Sequence, residues 1–190
     1  MTPNYHFYFY WFTLNLIGFS LGSLHGATSN GFIPSVIPGY AGLIIGDLVF
    51  GGMVGFAQYT AIKKTNFIPI SNWWIPATSL GFTVGARIGS LLTFRFTDNW
   101  LIAGIIFGLF MGGSIGFGTS ITMNKILSKK YQALWMAANI AGWVLGESIS
   151  FEFHFSLKAV PLVTVAIAGI SGLGLTYLRA ITLQEAQNTD

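Results

Sequence analysis

The chain has 190 residues, of which 53% are hydrophobic and 8% charged, with a formal net charge of +3 and a mean hydropathy of +0.64. Soluble domains carry about 25% charged residues, so this composition excludes an ordinary water-soluble domain. The basic residues form no run that would suit nucleic acid, and the absence of cysteine excludes disulfides, thiolate metal sites and cysteine nucleophiles. The sequence therefore predicts a single integral membrane domain over residues 1–190, in contact with lipid and without a nucleic-acid partner.

Six apolar blocks, each about 20 residues long, predict six transmembrane helices, because that length crosses a hydrocarbon core of about 30 Å. In chain order they cover residues 7–25, 40–62, 73–94, 100–123, 131–151 and 161–181. The first block lacks a positively charged start and is expected to remain as a span. The uncharged loop at 26–39 is expected to lie against the membrane or to cap the bundle, and the polar tail to be loose.

Basic residues beside the spans predict the orientation. With six spans, one side holds Lys63, Lys64, Lys125, Lys129, Lys130 and Arg179. The turns on the opposite side hold only Arg95 and Lys158. Both termini are therefore expected to be cytoplasmic.

The odd-numbered blocks share the pattern W-x3-[NT]-x2-G-[FW]-x2-G, which begins at Trp11, Trp74 and Trp135. The even-numbered blocks align as GGMVGFA, GGSIGFG and AGISGLG. The sequence thus predicts an all-α fold, a six-transmembrane helical bundle built from three repeated helical hairpins around a pseudo-threefold axis. The repeat units cover about residues 7–64, 71–126 and 131–181.

Glycines recur at four-residue spacing within these blocks, which is typical of close helix packing in membranes. The predicted packing positions are Gly18, Gly22, Gly51, Gly55, Gly81, Gly85, Gly104, Gly108, Gly112, Gly116, Gly142 and Gly146.

One polar residue follows each repeated tryptophan at the same offset: Asn15, Thr78 and Asn139. Each shares a helix face with the repeated glycines, so we expect these side chains to bond across helix contacts, and the alternative is that they line a conduit or ligand cleft. The repeated tryptophans are interpreted as anchors at the cytoplasmic membrane interface.

Three ionisable residues lie inside the predicted spans: Asp47, Arg87 and Glu147. At about 1.5 Å per residue, all three fall in the same outer third of the membrane. We expect an Asp47–Arg87 ion pair with Glu147 nearby or reaching outward, which would offset the cost of burying charge. The alternatives are a pair that fixes helix register, a polar vestibule for an ion, proton or small solute, and a contact with lipid headgroups.

No metal, cofactor or catalytic site is predicted. The histidines have no spacing that would bring several metal ligands together. His25, Gln58 and Asn139 are conceivable axial ligands of a pigment or haem, but no two of them lie at matched depth on repeated positions. No set of nucleophile, base and orienting residue can be assembled, so the chain is not expected to be an enzyme.

Residues 51–63, GGMVGFAQYTAIK, followed by WIPATSLG from Trp74, resemble a pattern in uncharacterised multi-pass proteins of cyanobacteria and related bacteria. That pattern is G-x3-G-x2-Q-[WY], basic residues, then W-[IV]-x-A-[TS]-x-[LI]-G. The resemblance implies a bacterial plasma membrane or thylakoid membrane and adds no activity.

Two functions follow as hypotheses. A protein that binds or passes a small solute or ion predicts a wet, polar-lined cleft that includes the ionisable residues. A non-catalytic accessory or assembly subunit, with other membrane subunits as partners, predicts a filled centre and glycines on the rim.

Overall fold

The computed structural model describes residues 5–26, 31–123 and 128–187, with side chains described to residue 184. These ranges contain seven α-helices and no β-strand, which confirms the all-α prediction. The helices are α1 Tyr5–His25, α2 Phe32–Val36, α3 Gly39–Thr65, α4 Trp74–Phe96, α5 Trp100–Thr122, α6 Lys129–Glu152 and α7 Val160–Gln187, with a 3-10 turn at Leu157–Ala159. The six long helices cover the six apolar blocks. Part of the predicted cap, residues 27–30, and Lys125 lie outside the described residues.

Local sequence signals fix several helix ends. The Asn99 side chain accepts a hydrogen bond of 3.0 Å from the backbone N–H of Ile102, which caps the start of α5. Asn66 ends α3 in the left-handed conformation, with φ 46°, and its N–H bonds back to the last turn. Gly39, the first residue of α3, has a φ of 77°, a backbone conformation that favours glycine.

The six long helices form a ring in chain order. α1 packs on α3, α3 on α4, α4 on α5, α5 on α6, α6 on α7, and α7 packs back on α1. Two facing residue pairs for each pair of neighbouring helices show their relative direction. They are Gly18–Val54 and Gly26–Gly46 for α1 and α3; Gly55–Thr78 and Gly51–Phe82 for α3 and α4; Gly81–Ile115 and Gly89–Phe107 for α4 and α5; Gly104–Ser148 and Gly116–Met136 for α5 and α6; Gly142–Ile167 and Gly146–Val163 for α6 and α7; and Trp11–Ala168 and Tyr8–Thr176 for α1 and α7. The order of these pairs makes every neighbouring pair of helices antiparallel.

The ring therefore has two distinct ends. At the closed end lie the start of α1, the end of α3, the start of α4, the end of α5, the start of α6 and the end of α7. At the open end lie the opposite termini of the same helices, together with α2 and the turn before α7.

All the predicted packing glycines face a neighbouring helix, and the approach is closest between α5 and α6. A Cβ added at Gly108 would lie 2.5 Å from Val144 Cα, and one at Gly112 would lie 2.5 Å from Ile140 Cα. A Cβ at Gly113 of the same helix would have no atom within 4 Å. Only hydrogen fits at the two facing positions, so the absence of a side chain there sets the distance between the helices.

A further close approach, between α1 and α3, was missed from the sequence. Gly26 and Gly46 face each other so closely that a Cβ on either would overlap the backbone of the other. Gly26 follows Gly22 and Gly46 follows Gly42 at the same four-residue spacing, but neither lies at a position shared by the three repeats. The spacing along each helix does not show which glycines of two helices meet.

The centre of the closed half is filled by aromatic side chains. Trp74 and Trp135 lie with ring centroids 5.7 Å apart, and Phe7 stacks on Phe67 at 3.6 Å. Together with Trp11 these rings belong to one buried cluster. This half of the centre is packed with side chains.

Three helical segments are long and apolar enough to cross a membrane: Gly39–Thr65, Trp100–Thr122 and Leu157–Gln184. They correspond to α3, α5 and α7 with its preceding turn. All three run from the open end to the closed end.

Candidate functional site

A cavity of about 600 Å³ occupies the centre of the ring at its open end. All six long helices and the turn before α7 contribute to its wall. The polar lining side chains are Ser23, Arg87, Ser90, Glu147, Ser150, His154 and Ser156. The remaining lining is largely aromatic and aliphatic, including Phe19, Phe50, Phe82, Phe107, Phe151 and Phe155.

Four aromatic rings from four helices close the floor of this cavity. Phe19 contacts Phe50 at a centroid distance of 5.6 Å, Phe50 contacts Phe82 at 4.2 Å, Phe82 contacts Trp143 at 5.8 Å, and Trp143 contacts Phe19 at 5.7 Å. The four rings thus form a cycle across the centre of the bundle. Because the closed half below them is also filled, the cavity does not continue to the closed end.

The predicted ion pair between α3 and α4 is present. Arg87 Nη2 lies 2.7 Å from Asp47 Oδ2, which confirms the inference from matched depth. The Asp47 side chain is 2% exposed, whereas that of Arg87 is 22% exposed and lines the cavity. The guanidinium also lies 6.0 Å from the centre of the Tyr40 ring. One charge of the pair is buried between helices, and the other reaches the cavity wall.

Glu147 lines the same cavity from α6 and is only 8% exposed. Within the described ranges its carboxylate has no ion pair and no hydrogen bond. The Arg87 guanidinium, which lines the same cavity, pairs with Asp47. The predicted grouping of the three ionisable residues is therefore uneven. Two of them form a pair, and the third is a separate carboxylate in the cavity wall.

The polar residues at the repeated positions lie in the closed half and do not line the cavity. Asn15 behaves as predicted, because its Oδ1 accepts a hydrogen bond of 3.2 Å from Gln58 Nε2 on α3. Thr78 and Asn139 lie at helix contacts, against Gly55 and Gly116, but the predicted bonds across those contacts are wrong. The Thr78 hydroxyl donates to Trp74 O and Asn139 Nδ2 donates to Trp135 O, both within their own helix. A polar side chain can share the carbonyl one turn before it as an acceptor.

The interpretation of the repeated tryptophans as interfacial anchors is also wrong. Trp11, Trp74 and Trp135 are fully buried or nearly so. Their indole N–H groups donate to a preceding helix of the ring. The acceptors are Ala168 O for Trp11 at 2.8 Å, Gln58 Oε1 for Trp74 at 3.3 Å and Thr119 Oγ1 for Trp135 at 2.8 Å. Buried indole N–H groups need such partners, and here the partners lie on another helix.

Gln58 joins three helices, because it bonds to Asn15 on α1 and accepts from Trp74 on α4. Replacing it with leucine leaves the Trp74 N–H and the Asn15 carbonyl buried without partners. We expect Gln58→Leu to lower the free energy of unfolding by about 1–2 kcal/mol. Thr60→Ala is the control, since that hydroxyl bonds only within α3 among the described residues. Thermal unfolding in detergent measures both, and equal losses would contradict the role given to Gln58.

The lip of the cavity includes a bend that sequence reasoning did not identify. His154 and Phe155, between α6 and the turn before α7, have φ values of 52° and 56°. Positive φ is uncommon for bulky residues and requires support from surrounding contacts. Here His154 packs 4.8 Å from the Trp100 ring and Phe155 packs 4.7 Å from the Phe151 ring. No glycine or asparagine at these positions signalled the bend.

The alternative ligand sites considered from the sequence are not brought together. His25 bonds to Leu21 O at the open end, while Gln58 and Asn139 lie in the closed half. Among the described residues, no group of three histidine, cysteine or acidic side chains is placed to hold a metal ion.

The comparisons with known proteins give no relative. No protein-family model matches the chain, and neither the curated proteins nor the solved structures contain a match. The resemblance to cyanobacterial multi-pass proteins therefore stays a prediction, and function has to be argued from the cavity itself.

Proposed function

We propose that this chain is a non-catalytic, six-span membrane protein that binds a small molecule in the cavity at the open end of its helix ring. The observation that carries the proposal is the one-sided cavity, with charged and hydroxyl groups in its wall and four aromatic rings as its floor. A volume of about 600 Å³ falls within the range of about 300–1,000 Å³ for small-molecule sites. Binding is favoured over passage because the other half of the centre is filled.

The direction of the helices supports six spans. The three apolar segments run in the same direction through the ring, so the chain between them has to return across the same thickness. The returning helices α4 and α6 have 23 and 24 residues, and α1 has 21, which is enough to cross a hydrocarbon core of about 30 Å. Each of the three packs against apolar helices on both sides.

A threefold repeat of hairpins is part of the proposal. It is supported by the three buried tryptophans, each of which donates its indole N–H to a preceding helix. It is supported as well by the bond from the next polar residue to the tryptophan carbonyl, which recurs three times.

We further propose that the open end faces away from the cytoplasm, in a bacterial plasma membrane or thylakoid membrane. The basic residues at the closed end are Lys63, Lys64, Lys129, Lys130 and Arg179, against Arg95 and Lys158 at the open end. Lysine and arginine collect on the cytoplasmic side of membrane proteins. The ligand would then enter from the extracytoplasmic side.

Thiol labelling tests the one-sided cavity directly, because the natural chain has no cysteine and hence no background. We expect Ser150→Cys, in the cavity wall, to react with a charged, membrane-impermeant thiol reagent added to the open-end side of sealed proteoliposomes. Ser171→Cys, at a position 1% exposed on α7, is the matched control and should stay unreactive. Mass spectrometry of the intact chain measures both.

Either of two results would overturn the proposal. An unreactive Ser150→Cys would mean that the cavity is closed or filled. A Ser171→Cys that reacts as fast as Ser150→Cys would mean that water reaches the closed half, as in a conduit.

An accessory subunit is the second candidate, favoured by a groove of about 720 Å³ on the outer face between α4 and α5. Its apolar lining includes Leu80 and Val84 of α4 and Phe117 and Ile121 of α5. A partner helix seated there would make the chain migrate as a larger complex on native electrophoresis of solubilised membranes. Val84→Trp would then release it, whereas migration as a free 20.6 kDa chain in its detergent would count against this candidate.

A further inference from the structure

The Glu147 carboxylate is the charged group in the cavity wall that the fold leaves without a partner. It is more than nine-tenths buried, and it has neither an ion pair nor a hydrogen bond within the described residues. Asp47 shows how the same chain treats a structural carboxylate, since an arginine lies 2.7 Å away. Burying a charge without a partner is costly, so the Glu147 carboxyl group is either protonated or paired with a cation that comes from outside the chain.

The other charged or titratable side chains at the cavity do not neutralise Glu147. Arg87 already faces Asp47, so that pair adds no net charge to the wall. His154 packs its ring against Trp100 and makes no ion pair with the glutamate. The cavity wall is left with one carboxyl group that no cation of the described residues pairs with.

The rest of the wall suits an apolar cation. Seven phenylalanine side chains line the cavity: Phe19, Phe50, Phe82, Phe94, Phe107, Phe151 and Phe155. Aromatic faces attract cations, and the attraction is strongest where water is excluded. An apolar body would fill the volume above the aromatic floor, and its positive charge would face the glutamate.

We propose that the cavity binds a monovalent organic cation with an apolar body, whose charge is balanced by Glu147. This inference rests on the proposed function, because it names the chemical class that the same cavity would take. It assigns Glu147 to the ligand and leaves the Asp47–Arg87 pair to the fold.

Two ions of the same shape and opposite charge provide the test on the unchanged chain in lipid nanodiscs. Tetraphenylphosphonium and tetraphenylborate differ in the sign of the charge and share four phenyl groups. We expect tetraphenylphosphonium to bind at least about tenfold more tightly than tetraphenylborate in equilibrium dialysis against empty nanodiscs, because its charge would attract the Glu147 carboxylate in a partly buried site. It should also slow the labelling of Ser150→Cys.

Substitutions at Glu147 then test whether this side chain supplies the charge that binds the cation. Glu147→Gln should weaken tetraphenylphosphonium binding by at least about tenfold, whereas Glu147→Asp should retain most of it. Glu152→Gln, at the exposed end of the same helix, is the matched control and should bind like the natural chain. If Glu147→Gln does not fold, the comparison of the two ions on the unchanged chain still decides the sign of the charge.

The failures of the two proposals can be told apart. Equal binding of the two ions, or tighter binding of tetraphenylborate, would overturn the proposal that the ligand is a cation and would leave the proposed binding cavity standing. The absence of binding by either ion, with Ser150→Cys still reactive, would also overturn the proposal of a cation. An unreactive Ser150→Cys would overturn the cavity itself.

Discussion

Replacing Gly108 with leucine should lower the free energy of unfolding by at least about 3 kcal/mol, the upper end of the usual cost of overpacking. A Cβ at this position would lie 2.5 Å from Val144 Cα and 2.6 Å from Trp143 O, whereas non-bonded carbon atoms prefer about 3.5–4.0 Å. Both neighbours are backbone atoms and cannot rotate away. The α5 and α6 helices would have to separate by about 1 Å along their shared seam.

Gly113→Leu is the matched control, because it makes the same chemical change five residues along the same helix where no atom lies within 4 Å of a new Cβ. Leucine is a better helix former than glycine by somewhat under about 1 kcal/mol, so the control should be neutral or slightly stabilising. Unfolding in mixed detergent micelles, followed by circular dichroism, measures both. Equal losses would show that helix propensity or expression, rather than the seam, decides the outcome.

The alanine variants add a second signature. Gly108→Ala and Gly112→Ala both collide with the α6 backbone, with a Cβ 2.5 Å from Val144 Cα and from Ile140 Cα respectively. One outward shift of α6 relieves both collisions. The double variant should therefore lose less stability than the two single losses added together.

Much of the fold follows from the sequence because lipid imposes simple rules. Backbone groups in a hydrocarbon core have to bond within a helix, so length and hydropathy were enough to place the six long helices. The depth of each charge follows from the helix rise, and this was enough to pair Asp47 with Arg87. Both inferences depend on position along one helix.

Features that depend on two or more helices could not be predicted in the same way. A tryptophan near a helix start suits a membrane interface and a bundle core equally well, because its ring is apolar and its N–H needs one partner. The partners of Trp74 and Trp135 are Gln58 and Thr119, each on another helix. Only the packing of α4 on α3 and of α6 on α5 places those acceptors within reach.

The cavity was hidden from the sequence for a related reason. A cavity is a volume that side chains leave empty. The sequence does not distinguish a phenylalanine that lines a cavity, such as Phe19, Phe50 or Phe82, from one in a filled core. Arg87 and Glu147 were the signals available, since an ionisable residue in an apolar block has to face a polar group or a space, and both line the cavity. The depth of Glu147 could be predicted, but the absence of a partner in the fold could not.

The Asp47–Arg87 pair is expected to respond asymmetrically to single substitutions. Arg87→Ala leaves a carboxylate that is 2% exposed without its counter-ion, and we expect a loss of about 3–5 kcal/mol in the free energy of unfolding. Asp47→Ala should cost less, because the arginine is 22% exposed and can be hydrated through the cavity. The double variant should lose far less than Arg87→Ala alone, since it leaves no buried charge.

A double-mutant cycle on thermal or denaturant unfolding in detergent measures these differences. Arg95→Ala, an exposed position near the end of the same helix, controls for the loss of an arginine in general and should change the stability little. If Arg87→Ala and the double variant lost the same free energy, the pair would contribute nothing beyond the volume of the arginine. An asymmetry in the expected direction would instead assign Asp47 to the helix seam and the Arg87 guanidinium to the cavity wall.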